Sequence, residues 1–178
     1  MCYMLYLVTN HAVGHQMFLM PLWKMKRLLF VLKFVAVPLV VGYISMLLQR
    51  ESMESWYPTL AKSSLTPPGY VFSIMWTLLY ILMGVSAAIV WDKRTSDSGV
   101  LKLLYSLQLL FNLLWSFCFF FLRMPLLAFF VLVVLFLMVA LYVAGCYMRH
   151  RVAAYLNLPY LLWLLFAAYL NGYVVICN

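Results

Sequence analysis

The feature that most restricts this chain is a succession of apolar runs, each long enough to cross a bilayer and nearly free of charge. Hydrocarbon about 30 Å thick is spanned by about 20 helical residues rising 1.5 Å each. Segments of about 71–91, 103–122, 124–148 and 152–177 contain no Asp, Glu, Lys or Arg. A further segment, about 28–48, contains only Lys33, close enough to its end to snorkel toward the interface. Backbone groups in lipid must be satisfied within their own segment, so these runs are helices rather than open strands. The predicted fold is an all-α integral membrane protein, a single five-helix transmembrane bundle over residues 25–178.

Composition agrees. Of 178 residues, 68% are hydrophobic and 9% charged, and the mean hydropathy is +1.03. A soluble domain carries about 25% charged residues, so the solvent here is lipid. The net charge of +8 does not indicate nucleic acid, because the basic residues sit at the ends of apolar runs, facing anionic headgroups. The partner they imply is the bilayer.

The breaks between runs carry turn chemistry. Gln49-Arg50-Glu51-Ser52 is expected to end the first helix and open a polar loop. Thr66 is expected to cap the second, ahead of Pro67 and Pro68, since proline is tolerated in a first turn. Arg123-Met124-Pro125 makes a tight turn, and Pro159 is expected to bend the last helix. Residues 1–24 are apolar but broken by Asn10, His11, Gly14, His15 and Pro21, and form an extension of separate status. Met25-Lys26-Arg27 reads like a natural beginning, either after an interfacial extension or as the true start. With no small-residue cleavage site after the apolar run, an uncleaved first helix is expected rather than a secretory signal.

Basic residues set the orientation. Lys24, Lys26, Arg27, Lys33, Lys93, Arg94, Lys102, Arg149 and Arg151 share the N-terminal side, against Arg50, Lys62 and Arg123 opposite. For a bacterial cell membrane, the expected location, nine against three predicts the N-terminus inside and the first loop and C-terminus outside.

Polar and aromatic side chains within the spans are the informative ones, because each is costly unless it meets a partner or a cavity. Tyr105, Gln108, Asn112 and Trp115 recur at three- and four-residue steps in the third helix. Asn157, Tyr160, Trp163, Ala167 and Asn171 do so in the fifth, and Phe72, Trp76, Tyr80, Met83 and Ala87 in the second. These stripes should face the bundle interior. Two readings stand there: glue between helices, at about 1 kcal/mol per polar residue, or a cavity for a flat aromatic ligand. Trp23, Trp56, Tyr57 and Trp91 suit an interfacial belt.

A catalytic set is missing from the pattern. No acidic residue falls inside a span, and Ser73, Ser86, Ser106 and Ser116 have no His or acidic partner at membrane depth. Cys2, Cys118, Cys146 and Cys177 are scattered, and His11 with His15 has no third ligand in view, so no metal is expected.

Three stretches carry a resemblance. WYPTLAKSSLTPPGYVFSIMWTLLYILMG, QLLFNLLWSFCFFF and LPYLLWLLFAAYLNGYVVICN are similar to the first loop with second helix, the third helix and the final helix of the translocator protein (tryptophan-rich sensory protein) family. The match runs from about Met25 to the end. It implies a five-helix bundle whose pocket opens toward the first loop, with porphyrins such as protoporphyrin IX, haem and benzodiazepine-type drugs as ligands and no required cofactor. Carried over by position, the pocket would include Trp76, Tyr80, Gln108, Asn112, Trp115, Trp163, Ala167 and Leu170, under a lid with Trp56, Lys62, Pro67 and Pro68. Some bacterial members degrade protoporphyrin in light, which would give Trp76 and Trp163 a catalytic role. The resemblance also implies a homodimer; Gly84 with Ala88 and Ala140 with Ala144 are small residues four apart that permit close helix contact, between copies or equally within one bundle.

The chain departs from the family at three places. Ser63 stands after Lys62 where proline is usual, and Leu65 replaces an aromatic residue before the double proline. No Lys or Arg follows Tyr173, so cholesterol recognition is expected to be weak or absent. The expected function is a porphyrin-binding membrane receptor or sensor; the alternatives are a transporter of tetrapyrroles or lipids and a light-dependent porphyrin-degrading enzyme.

Overall fold

The computed structural model describes residues 21–92 and 99–178. Five helices long and apolar enough to cross a membrane occur among them. They are α1 (Leu22–Glu54), α2 (Gly69–Trp91), α3 (Gly99–Ser116), α4 (Pro125–Arg149) and α5 (Arg151–Cys177). Lys93, Arg94, Cys2, His11 and His15 lie outside the described residues.

Around the bundle α1 packs on α2, α2 on α5, α5 on α4 and α4 on α3, and the end of α3 returns to α1. Two expected boundaries are corrected. α1 does not stop at Gln49-Arg50-Glu51-Ser52 but runs through them, 33 residues in all. A polar tetrapeptide marks where lipid ends, and helical hydrogen bonds continue equally well beyond it. Thr66 does not cap α2, which begins at Gly69 with Pro68 in the cap position at ψ 150°. A residue preceding proline is pushed out of the α region, so Thr66 and Pro67 stay extended and the helix starts only after both. Thr66 instead donates its amide to the Ser63 carbonyl at 3.0 Å. α5 is uninterrupted at Pro159, whose ring lies on the exposed side.

α3 ends in a π-helical turn, Phe117–Phe121, with the Leu122 amide on the Phe117 carbonyl at 2.9 Å. Arg123 then adopts φ 55°, and the Met124 amide closes onto the Cys118 carbonyl, six residues back, at 3.0 Å. Pro125 opens α4 at a position where no amide donor is needed. Arg123 also meets Glu51 of α1 at 3.2 Å, an exposed pair of small energetic weight.

The tightest contact joins α1 to α2. A Cβ on Gly84 would overlap the Val35 backbone and come within 2.8 Å of the Phe34 carbonyl oxygen. Gly84 therefore serves the contact between two helices of one bundle, and Ala88, one turn on, is buried in it. Leu79, Met83, Leu132, Leu135 and Leu164 are fully buried at mid-bundle, and past the crossing Ala87, Tyr142, Cys146, Ala153 and Ala154 are buried as well, so the N-terminal half of the bundle has a packed core.

Candidate functional site

The C-terminal half of the bundle, beneath the first loop, holds a cavity of about 800 Å³. Its walls come from α1, the 55–68 loop, α2, the end of α3 and α5. Helical spacing explains the convergence. Trp76 and Tyr80 stand one turn apart on α2 and stack on each other at 5.5 Å and 29°. Trp115 of α3 lies against Trp76 at 6.3 Å and 30°, and Phe119 stacks on Trp115 at 5.8 Å. The π turn makes this possible: one extra residue per turn lets Cys118, Phe119 and Phe120 all be buried in succession.

Hydrogen bonds fix the rings. Tyr80 donates its hydroxyl to Asn112 Oδ1 at 2.9 Å, and Asn112 Nδ2 donates to the Tyr160 hydroxyl at 3.0 Å. Trp115 Nε1 donates to Asn171 Oδ1 at 3.2 Å, and Asn171 Nδ2 donates to the Pro125 carbonyl at 2.9 Å. Three helices thus orient the aromatic wall.

The expected site residues divide into two groups. Trp76, Tyr80, Trp115, Ala167 and Leu170 line the cavity, as do Lys62 and Pro67 of the loop. Gln108, Asn112 and Trp163 are not among the lining residues. Asn112 is 1% exposed and consumed by the two tyrosines, and Gln108 is 0% exposed one turn deeper. Trp163 lies behind the wall, edge-on to Trp76 at 6.4 Å and to Phe72 at 5.7 Å. The stripe analysis gives the face of a helix correctly but not the depth at which that face is open. Trp56 also stands behind the wall, edge-on to Phe119 at 5.7 Å, and Pro68 serves as the start of α2.

The loop is fastened over the cavity. Lys62 Nζ donates to the carbonyls of Tyr57 at 3.0 Å and Pro58 at 3.4 Å and lies 4.8 Å from the Tyr57 ring centroid. Burial raises the Tyr57 hydroxyl above its ordinary pKa, so it stays neutral. Ser63, the departure from the family pattern, is buried and shares a 2.9 Å hydrogen bond with the Tyr169 hydroxyl, which proline could not make. Asn178 takes the Ala61 amide at 2.9 Å and gives to the Ala61 carbonyl at 3.2 Å. Leu65 points outward at 62% exposure.

One whole wall escapes the sequence analysis. α1 contributes Gly42, Tyr43, Ser45, Met46, Gln49 and Arg50 to the lining, among others. A signal is present: Pro38, Ser45 and Ser52, the buried residues of α1, recur every seven positions. Among the described residues no cluster of His, Cys, Asp or Glu could hold a metal ion. What the arrangement offers chemically is stacking and a few rim hydrogen bonds.

Residues 34–176 match the family model described as the TspO/MBR family. The chain is 35% identical over 151 residues to the tryptophan-rich protein TspO of Archaeoglobus fulgidus, covering 83% of this chain and 98% of that protein. It is 36% identical over 118 residues to a tryptophan-rich sensory protein of Cereibacter sphaeroides, covering 66% and 73%. It is 34% identical over 141 residues to the translocator protein of Sus scrofa, covering 78% and 83%.

Proposed function

The chain belongs to the TspO/MBR family of multi-pass membrane proteins, and from that premise we propose that it is a membrane receptor for a flat, lipophilic aromatic ligand of tetrapyrrole size. The observation that carries this reading is the aromatic-walled cavity centred on Trp76. Its volume, about 800 Å³, falls within the range of about 300–1,000 Å³ typical of ligand sites. Stacked rings are worth about 0.5–1.5 kcal/mol per aromatic pair beyond area burial, and Trp76, Tyr80 and Trp115 offer such faces together. Protoporphyrin IX and haem-type tetrapyrroles fit this chemistry, as do benzodiazepine-type lipophiles. The packed inner half, with Ala87, Tyr142 and Cys146 at 0% exposure, supports a receptor over a transporter.

Titration of the detergent-purified full chain with protoporphyrin IX tests the reading, followed by porphyrin absorbance and tryptophan quenching. Wild type should bind saturably at micromolar concentration or tighter. Ala167→Phe, which fills the cavity, and Trp76→Ala, which removes its central face, should each weaken binding about tenfold or more, equal to ~1.4 kcal/mol. Trp163→Phe should change it little. Unaltered binding in both cavity variants would place the porphyrin elsewhere.

The inward N-terminus belongs to the same proposal and has a direct test. Cys177 is exposed at the end of α5, whereas Cys118 and Cys146 are buried. In a Cys2→Ser background, a membrane-impermeant maleimide should label Cys177 from outside sealed cells. Labelling only after lysis would reverse the orientation.

A further inference from the structure

The cavity has exposed lining residues along its α1 and α2 edges. α1 and α2 run antiparallel, touching where Gly84 meets the Val35 backbone and where the Tyr80 ring lies against Gly42. Beyond Gly42 they are separated by the cavity. On the α1 edge, Tyr43, Met46 and Leu47 line the cavity yet are 59%, 49% and 52% exposed. On the α2 edge, Gly69, Ser73 and Thr77 line it and are exposed too. A residue that borders both the interior and the outer surface marks an opening. This one is a slit between two transmembrane helices.

The chemistry of its edges is apolar despite the two hydroxyls. Ser73 donates to the Gly69 carbonyl at 3.3 Å, and Thr77 to the Ser73 carbonyl at 2.8 Å, leaving small carbon surfaces toward the gap. Met46 and Met53 opposite are flexible and adaptable. From Tyr43 to Met53 the helix rises about 15 Å, half of the ~30 Å hydrocarbon layer, hence the depth of one leaflet. At the headgroup end Arg50 lines the rim and is exposed. The ion pair at this end joins Glu51 to Arg123 instead, and Lys62 is held by two loop carbonyls. Glu54 also borders the rim, one turn beyond Arg50.

We propose that this slit is a binding site for an anionic phospholipid, with an acyl chain lying in the gap between α1 and α2 and the phosphate on Arg50. The site goes beyond the tetrapyrrole reading and does not depend on it. A lipid seated there closes the cavity sideways, and its displacement opens a route from the leaflet that bypasses the fastened loop.

Native mass spectrometry of the full chain, purified with equal phosphatidylglycerol and phosphatidylcholine, tests the proposal. Wild type should retain one phosphatidylglycerol. Ser73→Trp and Met46→Trp, which plug the slit from either edge, should each reduce that adduct about tenfold. Arg50→Gln should leave phosphatidylglycerol and phosphatidylcholine bound equally. An adduct unchanged in both plugged variants, or a headgroup preference unchanged without Arg50, would overturn the site. A readout with the slit intact guards against misfolded variants. In vesicles of acyl-brominated phosphatidylglycerol, the fluorescence lost on Trp76→Phe should be a quenched contribution, since Trp76 lines the cavity that the slit opens. A Trp76 contribution of full intensity would refute the proposal independently.

Discussion

Gly84→Val is expected to destabilise the bundle severely, by about 3 kcal/mol or more, the upper end of what overpacking costs. The cause is that the added Cβ meets backbone rather than a movable side chain: Val35 Cα and N and the Phe34 carbonyl oxygen all stand in its place. Overpacking in a core costs about 1–3 kcal/mol where neighbours can shift, but here relief requires moving α1 away from α2. That separation would also widen the slit and remove the Tyr80 ring from its seat against Gly42. The measurement is thermal unfolding in detergent, followed by circular dichroism and size-exclusion profile. Gly84→Ala should show a smaller loss of the same kind. A Gly84→Val protein as stable as wild type would mean that α1 packs on α2 by some other face.

Asn112→Leu should cost about 1–3 kcal/mol, the penalty of stranding buried polar groups, and alter ligand affinity only through the cavity wall. Asn112 accepts from Tyr80 and donates to Tyr160, at 2.9 and 3.0 Å, and it is 1% exposed. Leucine of similar volume leaves both hydroxyls without that partner. Side-chain hydrogen bonds at membrane depth are each worth about 0.6 kcal/mol on average and up to about 1.7, so two lost bonds alone reach the lower end of that range. The two readings of this residue separate cleanly in one experiment. If Asn112 orients the wall, the variant melts earlier while Ala167→Phe, which touches none of these bonds, blocks porphyrin at near-normal stability. If Asn112→Leu abolishes binding at unchanged melting temperature, the asparagine contacts the ligand directly.

The stripes of α2, α3 and α5 could be read without coordinates because helical period and the cost of polar atoms in lipid act locally. Tyr105, Gln108 and Asn112 had to point inward, and all three are buried. Whether an inward side chain meets a cavity or another helix depends on how two helices diverge, which no single segment encodes. Gln108 and Trp115 share a face of α3, seven residues apart, yet only Trp115 borders the open space. α1 shows the converse. Its side chains looked like an ordinary apolar span, with Ser45 and Gln49 too sparse to stand out, because a wall that faces both lipid and cavity needs little polarity.

Local chemistry also misplaced two boundaries for one reason. The polarity of Gln49-Arg50-Glu51-Ser52 describes the solvent around a helix, and the Thr66 hydroxyl describes what could cap one. Neither decides where the backbone turns; Pro67 and Pro68 did so for α2, and packing of Ser52 onto the Phe120 carbonyl accompanies the extension of α1.

What sequence alone determined was the number of spans, their helical nature and the inward faces, since hydrocarbon forces each backbone group to find its partner within its own helix. Family membership was legible in the same residues. Tertiary structure alone decided where those faces part: at Gly84 the helices touch through backbone, and beyond Gly42 they separate around Trp76. Close packing at one crossing and divergence past it are properties of two helices together, so the cavity, its aromatic wall and its opening to lipid exist only once the bundle has formed.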